Sequence, residues 1–105
     1  MATTLDYFAN EAQVPASTLT GLFFEAIDRF GDEPALQRFE TADRIMDISY
    51  ADVLRDVMRV GGALRASGVD RGDRAAILSE NRPEWAIVDY GSLCAGAWVV
   101  PVYPT

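Results

Sequence analysis

The sequence holds no lysine and no histidine, and its 105 residues include a single cysteine. Without histidine, neither a Ser-His-Asp triad nor a Cys-His pair can be assembled. Without lysine there is no Walker A loop, whose lysine reaches the phosphates, and no Schiff-base nucleophile. One thiol and no imidazole leave too few of the usual ligands for a zinc site, and a lone cysteine closes no intramolecular disulfide. Positive charge is scarce as well. Nine arginines against sixteen Asp and Glu give a net charge of -7, the wrong sign for gripping nucleic-acid phosphates or for docking on anionic lipid. No apolar run approaches the roughly 18 residues of a membrane span. Residues 1–10 carry Asp6 and no basic residue, unlike a secretory signal. The expectation is a cytoplasmic protein whose membrane contact is at most peripheral.

What is present is apolar: half of the residues are hydrophobic, too many for a disordered tail and enough for one small core. Residues 1–17 show no sustained period and contain Pro15, and read as a lead-in segment. Leu19, Leu22, Phe23, Ala26, Ile27 and Phe30 then fall on one helical stripe. Ser17 or Thr18 can cap that helix, and Gly31 stands where a left-handed residue is wanted. Residues 34–40 and 44–48 flank Thr41-Ala42-Asp43 and fit a hairpin, with Pro34 at a strand end where no ladder donor is needed. Ser49, with Asp52 three residues on, opens a second helix whose buried stripe is Tyr50, Val53, Leu54, Val57, Gly61 and Leu64. Gly61-Gly62 inside it implies close packing against a neighbour, and Gly68 ends it.

Residues 74–79 and 97–103 are continuous apolar runs, the signature of strands covered on both faces. Between them lies a helix from Pro83 to Ala95, capped by Asn81 with Glu84 in the capping-box position, and apolar except for an edge of Glu84, Asp89 and Ser92. The fold class is therefore α/β: helix, β-hairpin, helix, then one parallel βαβ unit crossing right-handedly. Two parallel strands and a nearly all-apolar helix ask for more cover than these residues supply, so the pattern reads as part of a larger domain.

Three stretches carry a family resemblance. Ile48-Ser49-Tyr50-Ala51-Asp52-Val53, Gly68-Val69-Asp70-Arg71-Gly72-Asp73-Arg74-Ala75-Ala76-Ile77 and Ser79-Glu80-Asn81-Arg82-Pro83-Glu84-Trp85 resemble, in order and spacing, the start of the AMP-forming adenylating enzymes. The likeness runs from about Thr18 to Thr105. The ending Val100-Pro101-Val102-Tyr103-Pro104-Thr105 is similar to the corresponding run of the long-chain fatty acyl-CoA synthetase branch. The resemblance implies that residues 18–105 are the incomplete amino-terminal part of an adenylation domain. In the full-length relatives it also implies a reaction. ATP, Mg2+ and a fatty acid give an acyl-adenylate, and coenzyme A then takes the acyl group. The family's phosphate loop and catalytic lysine fall beyond Thr105, so the resemblance assigns no catalytic, cofactor or metal residue to this stretch. The partner it implies is the remainder of a synthetase chain. A non-catalytic interaction module, or an adenylating enzyme for another class of acid, are the alternatives.

The tempting site residues have ordinary readings. Glu80, Glu84 and Asp89 read as a cap and a solvated helix edge, not as an acid-base pair. Arg82 reads as a surface residue in a turn, Trp85 and Trp98 as core aromatics, and Cys94 as a small buried hydrophobe. Tyr103, Pro104 and Thr105 end a strand, where α/β sheets place ligands, and are the candidates for lying near a substrate.

Overall fold

Thr18 sets the first helix. Its side-chain oxygen accepts a hydrogen bond from the Gly21 amide at 3.0 Å, which satisfies one of the donors that a helix start leaves unpaired. The computed structural model describes residues 18–103. The expected lead-in, residues 1–17, lies outside them, as do Pro104 and Thr105. Helix α1 (Leu19–Phe30) turns Phe23 and Ile27 inward. It stops at Gly31, whose amide donates to the Ile27 carbonyl at 2.9 Å. Gly31 has φ -13°, so the expected left-handed cap is not formed. Instead the turn is tied forward, the Ala51 amide donating to the Gly31 carbonyl and the Tyr50 amide to the Glu33 carbonyl.

Strands β1 (Pro34–Thr41) and β2 (Arg44–Ser49) form the expected antiparallel hairpin, with Pro34 opposite Ser49 at its open end. Ser49 also caps helix α2 (Tyr50–Ala66), accepting from the Asp52 amide at 3.1 Å. Val53, Val57 and Gly61 are the buried residues of that helix. Its end is a left-handed Gly68, φ 99°, where a side chain would be strained. Strand β3 (Arg74–Leu78), helix α3 (Pro83–Cys94) and strand β4 (Trp98–Val102) complete the chain, β3 and β4 pairing in parallel from Arg74 opposite Trp98 to Leu78 opposite Val102.

Helix α3 is the centre of the molecule. Ile87 packs with Phe23, Ile27, Val53 and Val57 in one core, and the Tyr90 ring stacks on Phe23 with centroids 4.5 Å apart. Burying each such side chain stabilises the fold by about 1.5–3 kcal/mol.

Further expectations are corrected. Asn81 does not cap α3: the cap position is Arg82, and no side chain bonds to the free amides there. Ser92 does not belong to a polar edge. It is fully buried, and its hydroxyl donates to the Val88 carbonyl at 2.7 Å, which satisfies it within the helix. Strands β3 and β4 are covered on one face only. Ile77 is 6% exposed, whereas Leu78 is 69% and Trp98 66% exposed. Trp98 is thus not a core aromatic, because nothing among the described residues lies over its side of the sheet. No residue of α3 is exposed, so the shortage of cover falls on the sheet and not on the helix.

Candidate functional site

Two places gather side chains with chemical potential. The first is the carboxyl end of β4. Tyr103, the one described member of the expected trio, stands there 78% exposed.

The second is a groove of about 450 Å³ between β1 and the start of α3. Arg38 and Phe39 form one wall; Asn81, Arg82 and Trp85 form the other. Hairpin pairing sets Arg38 opposite Met46, and Pro83 at the first helical position places Glu84 in the first turn of α3, where the helix dipole favours a negative charge. The two meet. An Arg38 Nη2 hydrogen donates to Glu84 Oε1, while Arg82 Nε donates to Glu84 Oε2 at 2.9 Å. Both carboxylate oxygens are engaged. The Arg38 hydrogen bond, against the opposing effect of burial and with help from Arg82, holds the Glu84 carboxyl at about 2. A carboxylate so acidic is a poor proton acceptor at neutral pH, and a guanidinium bound to it is not free to grip a phosphate. The cluster ties the hairpin to α3.

Asp89 lies five residues beyond Glu84, about 140° around the helix, so the two carboxylates do not form an acid-base pair. Burial pushes the Asp89 carboxyl up. Cys94 is half-buried against the core, and burial pushes its thiol up also, which disfavours the thiolate. Among the described residues no three His, Cys, Asp or Glu side chains stand together where they could hold a metal ion. Nor is any helix of the described residues long and apolar enough to cross a membrane.

Sequence reading missed the Arg38–Glu84 pair, whose members are 46 residues apart. Only the hairpin pairing together with the position of α3 brings them into contact, and no periodicity encodes that.

The hairpin, the helix pair and the parallel βαβ unit together make one mixed α/β unit. Residues 23–105 match the model of the AMP-binding enzyme family, and the chain belongs to that family. It is 30% identical over 95 residues to a long-chain-fatty-acid–CoA ligase of Bacillus subtilis, covering 90% of this chain and 16% of that protein. It is 34% identical over 88 residues to the long-chain-fatty-acid–CoA ligase ACSBG1 of Macaca fascicularis, covering 84% of this chain and 12% of that protein. The fold matches a fatty acyl-adenylate ligase from L. pneumophila with a TM-score of 0.78 and 19% identity, over 90% of this chain and 16% of that one. The chain thus spans less than a fifth of the length of each.

Proposed function

We propose that these residues form the outer part of the large amino-terminal domain of a long-chain fatty acid:CoA ligase, and that they carry out no adenylation on their own. In the whole enzyme a fatty carboxylate attacks the α-phosphate of ATP, with Mg2+ present, to give acyl-adenylate and pyrophosphate. The coenzyme A thiol then displaces AMP. Developing charge on the transferring group has to be met by preorganised donors and cations. Those groups belong to the rest of the polypeptide, since the arginines near the groove are held by Glu84.

What supports the reading is one observation: likeness at 30% identity across 90% of this chain to a ligase with a long-chain fatty acid in its name. In this reading residues 18–105 are one incomplete unit, and the protein works in the cytoplasm with at most peripheral membrane contact. Tyr103, at the end of β4, stands on the side where such sheets place substrates, and Pro104 and Thr105, outside the described residues, are proposed as substrate-proximal with it.

The test is product formation by the full polypeptide that carries this segment, given ATP, Mg2+, coenzyme A and a panel of long-chain, short-chain and aryl acids. Long-chain acyl-CoA as the main product supports the proposal. Preference for an aryl or short-chain acid moves the protein to another branch, and no thioester from any acid overturns the ligase reading. The exposed sheet face favours a second reading, a non-catalytic module that pairs with itself or with another protein. A discrete, well-folded dimer of the 105-residue chain in sedimentation would support that module.

A further inference from the structure

The segment Ser79–Arg82 leaves β3 at its carboxyl end, and the strand register puts it beside Tyr103. Leu78 and Val102 are the last partners of the two strands, so residues 79 and 103 leave the sheet side by side, on strands about 4.8 Å apart. Open α/β sheets bind ligands outside the carboxyl ends of their strands. The segment borders that end, next to the exposed Tyr103.

Little holds it in place. Asn81 and Arg82 are exposed. The Ser79 hydroxyl donates to the Glu80 carbonyl at 3.0 Å, a bond within the segment, and the Trp85 amide donates to the Arg82 carbonyl at 3.0 Å, which leads only into α3. Among the described residues, one hydrogen-bonded route runs from the segment to another element. Arg82 Nε donates to Glu84 Oε2 at 2.9 Å, and Glu84 Oε1 accepts from Arg38 of β1. Arg38 stands on a firm base, because Leu36 and Ile48 of the hairpin pack on the core.

We propose that Glu84 is a positioning residue: held by Arg38, it fixes Arg82 and so sets the Ser79–Arg82 segment beside the substrate that reaches the carboxyl end of β4. The inference rests on the ligase reading above and adds to it a residue that acts through the segment, not on the substrate. A carboxylate suits the task. Its two oxygens accept from two guanidinium groups at once, in charge-assisted bonds, whereas a glutamine offers a single oxygen and no charge. A border set in advance lowers the ordering cost of binding. Loosening it weakens binding and leaves the bond-making groups, which that reading places elsewhere in the polypeptide, untouched.

The experiment uses the full polypeptide, unsubstituted and as Glu84→Gln, Arg38→Gln and Arg38→Lys. It measures kcat, the KM for fatty acid, ATP and coenzyme A in turn, and the rate at which a glutamate-specific protease cuts after Glu80. Glu84→Gln and Arg38→Gln are expected to raise one of these KM values by about three- to fivefold with kcat unchanged, the size of a partly exposed ion pair's contribution. Arg38→Lys, which keeps a cationic donor, should recover most of that KM. Cleavage after Glu80 should quicken in both glutamine variants, since cutting follows the population of the open segment. A merely structural role predicts a different pattern. Loss of folded enzyme lowers the apparent kcat and leaves every KM alone, and that result overturns the proposal. So does unchanged cleavage after Glu80, whatever the polypeptide catalyses. An active ligase with every KM unchanged in Glu84→Gln sinks only this inference. A polypeptide that makes no thioester sinks the ligase reading, and cleavage after Glu80 then still decides whether Glu84 fixes the segment.

Discussion

Gly61 of α2 lies so close to Gly91 of α3 that a Cβ on Gly61 would stand 3.1 Å from the Gly91 carbonyl oxygen. From the other side the fit is tighter: a Cβ on Gly91 would lie 2.7 Å from Val60 Cγ1 and 2.8 Å from Val60 Cβ. These glycines let the two helices approach. Gly91→Ala forces them apart, an overpacking cost of about 1–3 kcal/mol. Gly62 meets nothing within 4 Å, so the close packing expected of the Gly61-Gly62 pair belongs to Gly61 alone. Gly62→Ala is expected to stabilise α2 by up to about 1 kcal/mol. Hydrogen exchange of amides in 50–66 and 83–94 checks both: faster in the first variant, slower in the second.

The Arg38–Glu84–Arg82 tie makes stability depend on acid. A carboxyl held at about 2 when folded, against 4.5 ordinarily, stabilises the fold in full above its unfolded value, and the contribution is lost as pH falls from 4.5 toward 2. Glu84 keeps 40% of its side chain exposed, so solvent screens the pair, and Glu84→Gln costs no more than about 1 kcal/mol at neutral pH. Exchange in β1 and the first turn of α3 should quicken in this variant at pH 7 and converge with the parent protein near pH 2.

Asp89 behaves in the opposite sense. Burial raises its carboxyl, so the folded state holds the proton more tightly than the unfolded chain does. Ionisation is then a burden that is present above the folded value and relieved as pH falls through it. Asp89→Asn is expected to slow exchange in α3 at pH 7 and to lose that advantage in acid. Faster exchange at pH 7 would show that the ionised carboxylate has a stabilising partner.

Much of this fold was legible because its signals are local. The helix over Leu19–Phe30 with Phe23 and Ile27 inward, a cap at Thr18 (one of the two candidates, with Ser17), Ser49 as a cap and Gly68 as a stop each act within a turn or two of chain. The structure bears them out, though Leu19 at the head of the stripe is 62% exposed. What escaped depends on neighbours. Asn81 has the form of a cap, yet the chain places Arg82 at the cap position. Ser92 resembles a surface residue until α3 is enclosed, whereupon its hydroxyl bonds back to Val88. Trp98 resembles a core residue, yet it stands 66% exposed on the outward side of the sheet. The carboxyl end of β4 is nominated from sequence as a substrate-proximal position, and of the three residues nominated there only Tyr103 is described.

In the proposed ligase reading the chemistry lies in chain beyond Thr105. In a pyrophosphate-exchange assay with a long-chain fatty acid, ATP and Mg2+, the 105-residue chain is expected to show no acid-dependent exchange. The full polypeptide should exchange readily. Acid-dependent exchange by the short chain would mean that groups within residues 1–105 stabilise the transferring phosphoryl group after all.

The central claim, that these residues work as one piece of a larger ligase, is tested most directly by the size of the native protein. An antibody raised against residues 18–103 should detect, in the source cells, a polypeptide several times longer than 105 residues. That protein, captured on the same antibody, should convert long-chain fatty acid to its coenzyme A thioester. A native product of 105 residues alone would contradict the claim and leave the segment as a non-catalytic module of the family.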